Sequence, residues 1–434
     1  MDKMADVLGH AGAWCGQNKY LSAIKNAFQN FMPLTIAGAI GVLWCNVLVN
    51  DQTGLGIFFK PIMALDFLNP AFQAVNFCTI SCITVGITLG IAQEIGVWNM
   101  GAERAGYIPG LVGLAAWLSV TNTSHMVDGA KEAFTGIAGN ELGATGLFTG
   151  MIIGVLSVEL FCFFEKQDAL KIKMPEQVPP GVARAFEVLV PATITLIITA
   201  CIGSACYNLT GLYLNDVIKN GIQGPLGAVG ATIPGVMIIY LVIMLFWLVG
   251  IHGNNMLSAV KEALFTPLAL ENVEKFNKGE KPTNIINMYF LQMCGEFGGS
   301  GVTIGLVIAI MIFGKREDNK AIATLSLVPG LFNINETVTF GIPMVLNPIL
   351  GIPFVVAPLV TIIIGYVLTV IGFCPVACLT VPWTTPPIVF GFLACGANVM
   401  GAVTQAILIV VSTVIYVPFL ISYEKYQNKQ AAEA

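Results

Sequence analysis

The chain has 434 residues, 56% of them hydrophobic and 10% charged, with a formal net charge of −5 and a mean hydropathy of +0.80. An ordinary soluble domain carries about 25% charged residues, so this composition excludes one and describes an all-α polytopic membrane protein. The acidic balance leaves no basic face, and no nucleic-acid partner is expected.

Residues 1–29 are too polar to span a bilayer. Trp14, Tyr20, Leu21, Ile24 and Phe28 stand among Lys19, Lys25 and Gln29, a pattern that predicts a helix lying at the interface. Apolar spans are predicted near 31–49, 72–92, 105–121, 145–164, 188–208 and 232–250, then near 300–314, 354–373 and 401–422. Residues 285–299, 325–350 and 376–398 fit neither water nor a plain span, being apolar but interrupted by Gly, Pro and Asn. Irregular backbone at membrane depth persists only where protein buries it or it lines a cavity, and transporters bind their substrates there. A faint repeat joins the two halves: a proline, Pro33 or Pro191, follows Phe28 or Phe186 by five residues.

Charge orients the chain. Lys166, Lys171, Lys173 and Arg184 lie in the 165–187 linker, and Lys315, Arg316 and Lys320 in the 315–320 turn. The ends add Lys3, Lys19, Lys25, Lys425 and Lys429, whereas 50–71, 122–144 and 209–231 hold only Lys60, Lys131 and Lys219. Both termini are therefore expected in the cytoplasm. The polar stretch 271–284 leaves the number of crossings beside it open. Eleven cysteines, with no CxxC pair, read as small buried apolar residues. No cleavable secretory signal, metal site or cofactor is expected. No hydrophilic segment is long enough for a soluble domain, so a soluble partner in the chemistry would be a separate chain.

Chemistry-bearing residues gather in the second half. Glu336 is the one Asp, Glu, Lys or Arg between Ala321 and Val381. A carboxylate in so apolar a stretch reads by default as part of a substrate or ion pathway. Asn333 and Asn335 beside it offer the mixed donors and acceptors that sugar hydroxyls need. His252, one of three histidines, sits between glycines at the end of a predicted span. Trp383 lies in the break Val381-Pro382-Trp383-Thr384-Thr385-Pro386-Pro387, and with Trp247 it would give flat faces for a pyranose. The glycine-rich Gly295-Glu296-Phe297-Gly298-Gly299-Ser300-Gly301 is neither a nucleotide phosphate loop nor a dinucleotide fingerprint, though its amides could meet an anion or a hydroxyl. From these residues alone, an ion-coupled secondary sugar transporter stands as the alternative to a phosphorylating one.

The motifs Lys19-Tyr20-Leu21-Ser22-Ala23-Ile24, Val178-Pro179-Pro180-Gly181-Val182-Ala183-Arg184, Gly250-Ile251-His252-Gly253, Gly298-Gly299-Ser300-Gly301 and Leu327-Val328-Pro329-Gly330-Leu331-Phe332-Asn333-Ile334-Asn335-Glu336, with Gly341-Ile342-Pro343 and Asn347-Pro348, carry a resemblance. Over nearly its whole length the chain resembles enzyme IIC of the phosphotransferase system (PTS), lactose/cellobiose/diacetylchitobiose family.

That resemblance implies about ten transmembrane helices with interfacial helices and two re-entrant hairpins, in a homodimer in the bacterial cytoplasmic membrane. It implies a scaffold and dimerisation half, 1–230, and a sugar-binding half, 231–434, that moves as a rigid elevator. The substrate would be a β-linked disaccharide such as cellobiose, diacetylchitobiose or lactose. Its 6-hydroxyl would be phosphorylated by the phosphocysteine of a separate enzyme IIB, served by enzyme IIA. Glu336 and His252 match the catalytic pair, and Trp247, Trp383, Asn333, Asn335, Asn254, Gly299 and Ser300 complete the expected sugar-binding set. One position departs from the family: Thr337 stands where proline is usual. Threonine keeps an N–H and adds a hydroxyl, so a shifted helix start is expected there.

Overall fold

The computed structural model describes residues 10, 14, 17–51, 56, 58–125, 134–175, 177–342 and 344–433. Helices dominate, and the one sheet among the described residues is a two-residue ladder pairing Ser124–His125 with Phe134–Thr135. Five helices are long and apolar enough to cross a membrane, or up to seven if each of two bent pairs counts as one span. Two more, Ile108–Val120 and Ile233–Leu248, are apolar but shorter. At 1.5 Å per residue they reach roughly 20–24 Å of a hydrocarbon core about 30 Å thick.

By internal packing the chain divides into two compact units. One gathers 17–38 and 75–227, and the other gathers 39–74 and 228–433 with the described residues before 17. In the first unit, helix Ile83–Met100 packs on Ile108–Val120 and Ala144–Glu165, with Pro180–Thr210 against the latter two. Ala116, Trp117, Val120 and Ile153 form a core cluster. The approach is close because small residues face each other: a Cβ on Gly113 would strike Ala92, and one on Gly150 would strike Thr88. Where these helices end, Glu165 is paired with Arg104 at 2.8 Å and Arg184 at 3.0 Å.

The second unit holds the irregular backbone. Ile304–Phe313 packs on the 35-residue helix Val399–Glu433, and Gly351–Val370 packs on both Val399–Glu433 and Ile233–Leu248. The segment Met288–Val302 meets Ile304–Phe313 at a bend of 59°. A 20-residue helix, Ser258–Asn277, stands where no span is predicted. Beyond it, the 271–284 stretch is pinned by asparagines. Asn272 and Asn287 both donate to the Ala377 carbonyl, at 3.1 and 3.0 Å, while Asn272 Oδ1 accepts from the amides of Thr283 and Asn284.

Several sequence expectations shift. Of the interfacial helix expected over 1–29, residues 1–9, 11–13, 15 and 16 lie outside the described set. The rest is no separate element, because Lys19–Leu43 is one helix running through Pro33 with Ala23 and Ala27 buried. Pro191 likewise lies inside Pro180–Thr210. The span expected at 72–92 is interrupted: a π-turn, Phe77–Ser81, ends at Cys82 before Ile83–Met100 begins. Hydropathy runs across this break because 77–84 carries no charge and its only polar residues are Thr79, Ser81 and Thr84.

Candidate functional site

Helix Ile233–Leu248 is started by Thr232, whose Oγ1 accepts from the Gly235 amide at 3.2 Å. It ends in a tight turn in which Ile251 N–H donates to the Phe246 carbonyl and Gly250 takes φ +82°. This turn folds His252 back over the end of its own helix, placing the imidazole 4.5 Å from the Trp247 ring, centroid to centroid. Gly253 follows because a Cβ there would press into the Ile243 carbonyl oxygen.

His252 Nδ1 accepts from the Asn255 amide at 3.2 Å. A ring nitrogen that accepts carries no proton, so in the neutral imidazole the proton sits on Nε2. That Nε2 lies 3.9 Å from Glu336 Oε1. The side chains are 36% and 49% exposed, so both remain open to a ligand.

Glu336 opens the short helix Glu336–Gly341, and Asn335 is its N-cap residue. The helix starts at the glutamate itself, which puts Thr337 in its first turn. The segment before it is stitched to two others. Asn333, in the left-handed region at φ +63°, accepts from the Gly298 amide through Oδ1 at 2.6 Å. Its Nδ2 donates to the carbonyls of Trp383 and Thr385. Asn335 is buried and donates to the Ser300 carbonyl at 2.7 Å. Gly299, at φ +88°, lies so close to Asn335 that a Cβ would overlap that side chain. The glycine-rich loop is also held by Tyr416, which donates to the Gly301 carbonyl at 2.7 Å. The Asn-Glu motif, the glycine-rich loop and the Trp383 break thus meet around one place.

The sequence model of the family "Phosphotransferase system, EIIC" matches residues 25–358. The chain belongs to the phosphotransferase system EIIC family. It is 32% identical to the oligo-beta-mannoside-specific EIIC component of Bacillus subtilis, over 98% of this chain and 94% of that one. The cellobiose-specific EIIC component of Lactococcus lactis is 30% identical, over 98% of each chain. A lactose-specific EIICB component of Staphylococcus aureus is 33% identical, over 94% of this chain and 69% of its own length. Among solved structures, the transporter ChbC, the IIC component of the N,N'-diacetylchitobiose-specific phosphotransferase system, superposes with a TM-score of 0.88 at 30% identity, covering 97% of both chains. The protein is accordingly a multi-pass membrane component of a sugar phosphotransferase system. The ion-coupled alternative finds no support in these matches.

In this EIIC chain the two tryptophans are placed differently. Trp383 is 42% exposed. Trp247 is 1% exposed, edge-on to Phe354 and tilted against Phe340, so it backs the His252 ring. Asn333 spends both N–H groups and one lone pair on backbone, which makes it a staple of the site. Asn254 and Ser300 are bonded to each other at 2.8 Å. Sequence reasoning missed Lys261, Glu296 and Tyr240, which lie directly behind them. Lys261 and Glu296 form an ion pair with side chains 7% and 19% exposed. The one signal in the sequence is Glu296, a charge inside the glycine-rich run; Lys261 adjoins no motif.

Proposed function

We propose that the chain carries a β-linked disaccharide of the cellobiose, diacetylchitobiose or lactose type across the cytoplasmic membrane, coupled to phosphorylation of its 6-hydroxyl by phospho-enzyme IIB. The observation that carries this reading is the pair His252 Nε2 and Glu336 Oε1, a donor and an acceptor 3.9 Å apart. A hydroxyl oxygen about 2.8 Å from both completes a hydrogen-bonded triangle, accepting from Nε2–H and donating to the carboxylate. As that oxygen bonds to phosphorus, its proton passes to Glu336 and the phosphorus–sulfur bond on enzyme IIB breaks, releasing the thiolate. His252 orients the oxygen, and Trp383 offers a face to the sugar ring. The sugar phosphate is charged and no longer fits a site built for a neutral sugar, which makes uptake one-way.

The β-linked substrate class is supported by the names of the oligo-beta-mannoside, cellobiose and diacetylchitobiose relatives. The same reading makes 1–230 the scaffold and dimer half and 231–434 the moving half of a homodimer, with both termini cytoplasmic. The short helices Ile108–Val120 and Ile233–Leu248 would also cross, and the bent and broken segments of the second half would be re-entrant. The test is Glu336→Gln in vesicles supplied with enzymes IIA and IIB and phosphorylated carrier protein. Sugar phosphorylation should fall by about 100-fold or more while sugar binding stays measurable. Phosphorylation near the wild-type rate would remove Glu336 as the base.

A further inference from the structure

Behind the site runs a chain of hydrogen bonds that can point only one way. Tyr240 Oη donates to Glu296 Oε1 at 2.8 Å. Lys261 Nζ is paired with the same oxygen and also donates to Asn254 Oδ1 at 3.0 Å. Asn254 Nδ2 in turn donates to Ser300 Oγ at 2.8 Å. An ammonium has donors and no acceptor, so the Asn254 atom facing Lys261 must be oxygen, and the amide NH2 is thereby turned to Ser300. Ser300 Oγ accepts, and its own proton is left over. Among the described residues no side chain or carbonyl takes that proton. Yet Ser300 is only 4% exposed, and its carbonyl is tied to Asn335, the neighbour of Glu336.

We propose that Lys261, held by Glu296, is a positioning residue that turns Ser300 into a hydrogen-bond donor for an acceptor oxygen of the sugar. This rests on the sugar-transport reading above and deepens it. A buried ion pair is poor evidence for stability, since apolar residues of similar size often serve the fold as well. What the pair supplies here is direction. Without the ammonium, the Asn254 amide is free to turn over, and the Ser300 proton is then drawn to Asn254 Oδ1.

The test is equilibrium binding of cellobiose, diacetylchitobiose and lactose to the purified full chain in detergent, with phosphorylation kinetics beside it. Asn254→Asp keeps and strengthens the contact to Lys261 but accepts from Ser300 instead of donating. Its Kd should rise about tenfold, the worth of one well-made hydrogen bond. Ser300→Ala should show the same loss, and the double variant no more than either single one. Lys261→Met should weaken binding similarly and Lys261→Arg should restore most of it, with the loss falling mainly on KM rather than kcat. A merely structural role predicts a melting temperature that falls in Lys261→Met and normal binding by Asn254→Asp. Should Lys261→Met fail to fold, Asn254→Asp and Ser300→Ala carry the test unaided. Wild-type binding with an unchanged Asn254→Asp, or losses that add in the double variant, would overturn this inference alone. Wild-type binding of none of the three sugars would overturn the sugar-transport reading with it.

Discussion

In the unit formed by 17–38 and 75–227, long helices pack through small residues, and charges meet at their ends: Lys19 with Glu159 at 2.6 Å, Arg104 and Arg184 with Glu165. In the unit that holds the site, polar groups run through the middle of the fold, and the backbone itself is bent to place them. Every non-glycine residue with positive φ among those described, namely Val302, Asn333, Leu346, Ile388 and Ala397, belongs to this second unit. Each such residue costs of order 1–3 kcal/mol and persists only where its surroundings over-determine it. Gln405 shows how that is done at Ile388: its Oε1 accepts from the amides of Ile388 and Gly391, and its Nε2 donates to the Met293 carbonyl. Positive-φ strain at non-glycine residues is thus confined to one unit among the described residues.

The largest effect should come from Gly299→Ala. At φ +88° and ψ −173° the backbone lies in a region nearly reserved for glycine, where an alanine costs of order 1–3 kcal/mol, and its Cβ collides with Asn335 besides, so sugar binding should be lost in a titration of the purified protein. Gly181→Ala is the matched control in the other unit, where a Cβ meets open space at the first turn of a helix. Equal damage from both would break the comparison. Next, Asn333→Ala removes three bonds joining three segments. At about 1 kcal/mol each, sugar affinity should drop by about 100-fold. Glu165→Gln should act on the frame alone, because it takes from Arg104 and Arg184 the buried carboxylate they share and leaves each with Glu187 only. A loss of about 1–2 kcal/mol in thermal stability is expected, below the 3–5 of a buried pair broken outright, since both arginines keep a partner and Arg104 is half exposed. Sugar affinity should not change, and a large shift in Kd would dissolve the distinction between frame and site. The smallest effect belongs to Thr337→Pro, at an exposed position in the first turn of Glu336–Gly341. Proline is tolerated there, and stability should move by less than about 0.5 kcal/mol.

How much of this was legible in advance differs residue by residue. Glu336 announced itself as a lone charge, and His252 through the glycines around it, because both are departures from a local pattern. Their mutual distance was not legible, since it depends on the turn at Gly250 and on the staples of Asn333. Lys261 and Glu296 stand 35 positions apart. One lies beside Glu262 in a stretch where no span is predicted, the other inside a glycine-rich run. Nothing local pairs them. The setting of Trp247 was hidden as well: an aromatic residue beside a break looks like a ligand platform, and its packing on Phe340 and Phe354 comes from residues about 100 positions away.

Asn333 has a consequence for energetics across the membrane. It fastens the glycine-rich loop and the tryptophan-bearing break to the segment that carries the carboxylate, so these walls cannot part without losing its bonds. On the proposed mechanism, the sugar then meets the same pocket whichever compartment it opens to, with one dissociation constant on both faces. A carrier of that kind has no pumping stroke of its own: deprived of its phosphoryl donor, it only levels the sugar concentration between the two sides.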